Sequence, residues 1–159
     1  MRIVKDGREQ RDEWAILAAD EPLVEHAAIV PLARWQAASP TTGTSPYGLL
    51  VRADDELAAV LAAAARSPLV AIDFATFNDG RGYSFARQLR AAGYDGDLRA
   101  VGEVLRDQAF YLARCGFSSF VPAAHVAINE FMAGLADFSL VYQPAADDRP
   151  IIARLRHTR

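Results

Sequence analysis

The sequence predicts an α/β fold of repeated βα units carrying a mainly parallel sheet. That sheet is either an open three-layer sheet or a partial barrel, with a small irregular N-terminal region before it. Three observations point there. From residue 48 onward, short apolar or β-branched runs alternate with helical segments. Each run gives way to its helix within a few residues, as right-handed crossovers between parallel strands require. Glycines stand where helices should stop, at Gly93 and Gly116.

The elements follow in order. RIVKDGRE (2–9) suggests a hairpin around Asp6-Gly7, and AAIVPL (27–32) an edge strand ended by proline. SPTTGTSP (39–46) reads as a flexible linker. GLLVR (48–52) is the first core strand, and ADDELAAVLAAAAR (53–66) a helix with acids in its first turn and Arg66 in its last. LVAIDF (69–74) is the second strand; after it FNDGRGYSFARQLR (77–90) passes from loop into a helix ending at Ala92. DLRAV (97–101), a helix over 103–116, SSFVP (118–122), a helix near 125–136 and a strand SLVYQ (139–143) complete the series. The chain is thus expected to be one domain over 1–159. It comprises an N-terminal embellishment and linker (1–47), a βα core (48–145) and a basic tail (146–159).

Composition excludes several function classes. A net charge of −3 provides no basic field for nucleic acid. The longest apolar runs, such as LAAVLAAAA at 57–65, are too short to span a bilayer. The N-terminus is too polar for a secretory signal, and one cysteine, Cys115, fits a reducing compartment. The expected location is the cytoplasm.

Chemistry is expected at the carboxyl ends of the parallel strands, where two polar stretches fall: Asp73 to Ser84 and Gly102 to Gln108. Phe85, Ala86, Leu89 and Ala92 form the buried stripe of the first helix, leaving Tyr83, Arg87 and Arg90 along one flank. Arg81 sits in a glycine-flanked turn near a helix N-terminus, a setting that favours an anion. Arg81, Arg87 and Arg99 can thus form a fork for a carboxylate, phosphate or sulfur oxyanion. The competing reading has Ser84 capping the helix, Asp79-Gly80 making a turn and the arginines solvated. If the two loops share a sheet edge, Arg81, Arg99 and Asp107 should lie together.

In the next helix Gln108 falls within the apolar stripe of Val104, Leu105, Leu112 and Cys115, so its amide should bridge to backbone. Phe110, rimmed by Glu103, Asp107 and Arg114, is a candidate contact surface. Asp73, Asp79, Glu103 and Asp107 are candidate acids or bases with nothing to single one out. Cys115 reads as an inert buried thiol. His26, His125 and His157 have no metal spacing. No nucleotide fingerprint occurs, and one cysteine is too few for an iron–sulfur cluster, so no cofactor is expected.

The motifs DGRGYSFARQLR (79–90), GDLRAVGEVLRDQ (96–108) and RCGF (114–117), with MRIVKDGR (1–8) and VPLARW (30–35), resemble the bacterial domain-of-unknown-function family 934. Members of that family are often labelled as oxidoreductases of sulfite reduction and are found beside genes of assimilatory sulfite reductase. The resemblance implies a role in reducing sulfite to sulfide, with sulfite reductase as the partner. Two forms of that role follow: a non-catalytic accessory to a sirohaem enzyme, or a small enzyme or anion-binding protein using the strand-end arginines.

Overall fold

The computed structural model describes residues 2–23, 27–39, 43–138 and 145; the strand expected over 139–143 and the tail over 146–159 lie outside them. The N-terminal hairpin forms as its Asp-Gly dipeptide dictates. β1 (Arg2–Lys5) and β2 (Arg8–Arg11) pair antiparallel, with φ of 52° at Asp6 and 67° at Gly7. Two successive positive φ values give the turn whose twist suits a two-residue hairpin. Then come β3 (Ala15–Ile16), β4 (Ala28–Pro31), α1 (Leu32–Ala38), β5 (Gly48–Val51), α2 (Leu57–Ala64), β6 (Leu69–Phe74) and α3 (Arg81–Ala91). β7 (Asp97–Gly102), a 3-10 turn (Arg106–Gln108), α4 (Ala109–Arg114), β8 (Ser119–Phe120) and α5 (Ile128–Gly134) follow.

The sheet runs β2-β1-β8-β7-β6-β5-β4-β3, parallel from β3 through β8 and antiparallel at β1. Strands β3 to β8 therefore lie side by side in chain order. Right-handed crossovers in an unreversed order deliver every helix to the same face. The burial agrees: Trp35 of α1, Val60 of α2, Phe85 and Leu89 of α3, Leu112 of α4 and Phe131 of α5 share one core with Val51, Ile72, Phe74 and Ala100 of the strands.

The same order shows that the sheet is curled. β2 and β3 stand at its two ends, yet only residues 12–14 connect them. Four Cα steps reach at most about 14 Å, whereas eight flat strands at a spacing of about 4.8 Å would set the end strands about 34 Å apart. The sheet is accordingly a half-barrel, and residues 12–14 strap its mouth. Of the open sheet and the partial barrel, the second is the fold.

The strap meets a second core on the concave face. Ile29, Leu50, Leu69, Ala71 and Val101 are buried there, with Trp14 and Val121 packed against them. Below them Arg99, only 2% exposed, pairs with Asp12 at 2.6 Å and with Asp97 at 3.2 Å. Its Nε donates to Ser119 Oγ at 3.1 Å, and Lys5 adds a second cation on Asp97 at 3.2 Å. Two carboxylates thus meet one buried cation, Arg99, and a second, Lys5, at the margin, the balance that buried charge requires.

Several boundaries differ from expectation. The AAIVPL strand is second from the edge, because Ala15–Ile16 pairs outside it. The helix after β5 starts at Leu57: Asp55 accepts the Arg52 amide at 2.7 Å and holds the acidic residues in a turn before it. The helix after β7 shrinks to 109–114, because extended Leu105 (ψ 161°) and the 3-10 turn take up the preceding residues.

Candidate functional site

The segments that leave the C-terminal ends of the six parallel strands, β3 to β8, form one rim of the half-barrel. In the loop after β6, Asp79 Oδ1 accepts the Arg81 amide at 3.1 Å and Arg81 Nε at 3.0 Å, while Oδ2 accepts Nη2 at 2.8 Å. This local clasp starts α3; no side chain caps Gly80, and Ser84 lies inside the helix, exposed. It holds the Asp79 carboxyl below the usual range through those hydrogen bonds from Arg81.

The loops after β6 and β7 do share an edge. Gln108 Nε2 donates to the Phe77 carbonyl at 2.7 Å, and its Oε1 accepts the Leu105 amide at 2.9 Å. The Glu103 amide adds a bond to the Phe74 carbonyl at 2.7 Å. On the helix side of this joint, aromatic rings stack outward from the core. Phe74 meets Tyr83 at 5.2 Å between centroids, and Tyr83 meets Tyr111 at 5.1 Å. Burial pushes the Tyr83 hydroxyl up to about 12, and the neighbouring acidic groups of Cys115, Asp107 and Tyr111 add to the rise, so it stays protonated at neutral pH. Tyr111 is 51% exposed and Phe77 61% exposed. Phe110, expected at the surface, is half-buried against Phe138, 4.9 Å away. The late start of α4 turns Ala109 and Leu112 to the core and moves the exposed aromatic one residue on. Glu103 and Asp107 are exposed and Arg114 half-buried.

The arginines separate. Arg90 is a structural clamp: Nε donates to the Gly116 carbonyl at 2.9 Å, and Nη1 to those of Tyr94 at 2.6 Å and Gly96 at 3.1 Å. Arg99 does not join Arg81 and Asp107. Alternation along β7 places it with Asp97 on the concave face, where Asp12 completes its shell. Arg87 remains exposed on the outer flank of α3. Cys115 is buried, and that burial pushes its thiol up, as expected of an inert group.

Of the four candidate acids, Asp73 is distinguished by its setting. It follows Leu69 and Ala71 on the concave face, and it is half-buried with no hydrogen bond to its carboxylate among the described residues. Burial raises its pKa, and the charge of Arg52 opposes the rise. The β5–β6 register pairs Val51 with Ile72, which sets Arg52 opposite Asp73 at the rim. On its other side lies Gly102, with φ of 90°. A Cβ on Gly102 would stand 2.5 Å from the Phe74 carbonyl oxygen and 2.6 Å from Asp73 Oδ1. Sequence reasoning passed over Arg52, Phe77 and Tyr111. Only the position of Arg52, just past an apolar run, signalled the first.

The rim is acidic. Loops 52–56, 73–81 and 102–108 carry three positive residues (Arg52, Arg81, Arg106) and seven negative ones (Asp54, Asp55, Glu56, Asp73, Asp79, Glu103, Asp107), a net of −4. Among the described residues no cluster of His, Cys, Asp and Glu has the geometry to hold a metal ion. No helix among them is long and apolar enough to cross a membrane.

Residues 48–152 match the model of a family described as bacterial protein of unknown function (DUF934). The chain belongs to that family. Its matched span begins at β5 and takes in the rim residues from Arg52 to Asp107. No curated protein and no solved structure matches the chain.

Proposed function

We propose that this protein is a cytoplasmic, non-catalytic accessory of assimilatory sulfite reduction that docks on a sirohaem sulfite reductase. The pathway comes from the family resemblance; the geometry supports the accessory role over an oxyanion site. The observation that carries this choice is the state of the three arginines of the expected fork. Arg81 is clasped by Asp79, Arg99 is buried on Asp12 and Asp97, and Arg87 stands by itself on a helix flank. The surrounding loops carry a net charge of −4, a field that repels sulfite.

What the rim offers is a contact surface. Phe77, whose carbonyl the Gln108 joint holds, and Tyr111, backed by the Tyr83–Phe74 rings, are exposed on the loops that carry Asp79, Glu103 and Asp107 and on the helix after them. Exposed aromatic rings with acidic residues on the Phe77 side and Arg87 and Arg114 beside Tyr111 suit a partner with an apolar pocket and a charged border. The test is affinity purification of the tagged protein from cells grown on sulfate. Recovery of sulfite reductase with the wild type, and its loss with Phe77→Ser/Tyr111→Ser, is the expected result. Deletion of the gene should also impair growth on sulfate or sulfite and leave growth on sulfide or cysteine intact. Normal growth of the deletion strain on sulfite, with no second copy of the gene, removes the pathway assignment.

A further inference from the structure

A cavity of about 370 Å³ lies at the opposite end of the sheet from the rim, where the chain turns into β5, β6 and β7. The C-terminal ends of α2 and α3 flank it. Leu61, Ala65 and Ala92 give it an apolar wall, and Thr44, Arg66 and Asp95 bring polar groups to it. Arg66 is held along part of its guanidinium. Nε donates to the Gly43 carbonyl at 3.1 Å, and the guanidinium carbon stands 5.4 Å from the centre of the Trp35 ring. Nη2 is buried, yet it donates to no group among the described residues. A buried donor is ordinarily matched by an acceptor; this one belongs to a side chain that borders a cavity. Asp95 lines the same cavity and is exposed, with no hydrogen bond or ion pair to its carboxylate among the described residues. Two opposite charges therefore border one space without neutralising each other.

We propose that this cavity binds a small zwitterion of the α-amino-acid class with an apolar side chain, its carboxylate on Arg66 and its ammonium group on Asp95. Three features select that chemistry. A guanidinium with unused N–H groups matches the planar fork of a carboxylate. An unpaired carboxylate, beside the C-terminal ends of two helices with their negative partial charge, favours an ammonium group. The volume and the apolar wall suit a short hydrophobic side chain. A simple anion would meet Asp95 and the helix ends, and a simple amine would meet Arg66. Only a ligand that carries both charges satisfies both groups. The cavity lies away from Phe77 and Tyr111, so binding here and docking at the rim can fail independently.

The test is a titration of the ¹⁵N-labelled full chain with leucine, with isocaproate, which lacks the amine, and with isoamylamine, which lacks the carboxylate. Leucine should shift the Thr44, Gly93 and Gly96 amides saturably. Isocaproate and isoamylamine should each bind at least about tenfold more weakly, the difference one charge-assisted hydrogen bond makes. Asp95→Asn, at an exposed position with no bond to lose, should weaken leucine at least about tenfold and leave isocaproate unchanged or tighter. Arg66→Lys, which keeps the charge and removes the fork, should weaken leucine and isocaproate alike. The proposal is overturned by leucine causing no saturable shift, by either analogue binding as tightly as leucine, or by undiminished leucine binding in Asp95→Asn.

Discussion

Arg99 and Arg81 stand 18 positions apart in the chain (99 − 81), carry the same charge and do opposite things. Arg81 is exposed and held by a neighbour two residues away; Arg99 is buried and held by a partner 87 residues away. Removing Asp12 leaves the interior one carboxylate short. Asp12→Ala should therefore lower unfolding free energy by about 3–5 kcal/mol, measured by urea denaturation, while Arg81→Ala should leave the midpoint essentially unchanged. Asp97 adds a pH dependence. Burial raises its pKa, but hydrogen bonds from Ser118 and Ser119 and the charges of Arg99 and Lys5 more than offset this, leaving it lowered. A lowered carboxyl contributes stability above the ordinary value of about 4 and loses it as pH falls through the folded-state value. The gap between wild type and Asp97→Asn in thermal melts should thus be widest near neutral pH and close in acid. Asp73 has the reverse sign: its raised pKa costs stability as pH rises from the ordinary carboxylate value through the folded one. Period-two alternation in DLRAV already puts Asp97, Arg99 and Val101 on one face. Nothing in the local sequence says that Asp12 comes to meet them, so Arg99 read as one more rim arginine.

At the scale of elements, the strands and α3 were legible because their patterns are local. LVAIDF forms β6 over the predicted residues, and Gly93 ends the α3 turn at φ of 87°. Helix starts were less so. The acids before α2 and the residues after Gly102 have helical composition, but backbone amides captured by Asp55 and Gln108 hold both segments in turns. Gln108 was readable as a bridge, since a polar amide on an apolar stripe must find partners; the carbonyl it reaches, that of Phe77, was not. Gln108→Ala should cost about 1 kcal/mol and speed hydrogen exchange at the Leu105 amide, its lost partner. Unchanged exchange there would show that the bridge does not hold the loops. Gly102→Ala should cost more, about 1–3 kcal/mol from the left-handed backbone alone, with the clash against the Phe74 carbonyl added; urea melts of the two variants give the comparison.

For the whole molecule, alternating βα units specified a parallel sheet without saying whether it stayed open or curled. The answer lay in three residues, 12–14, that link the two ends of the sheet, and their role appears only once strand order is known. The N-terminal residues supply four strands and the strap over the concave core. The curled sheet collects the strand-end loops on one rim, and its arginines are engaged within the protein or stand singly. On this account the protein acts by contact. Sedimentation velocity of the purified chain mixed with the sulfite reductase of its own bacterium tests that most directly. The account predicts a faster-sedimenting complex that dissociates with rising salt and fails to form with Phe77→Ser/Tyr111→Ser. Independent sedimentation of the two proteins at low salt, together with a thermal midpoint of the chain alone that climbs with added sulfite, would contradict it.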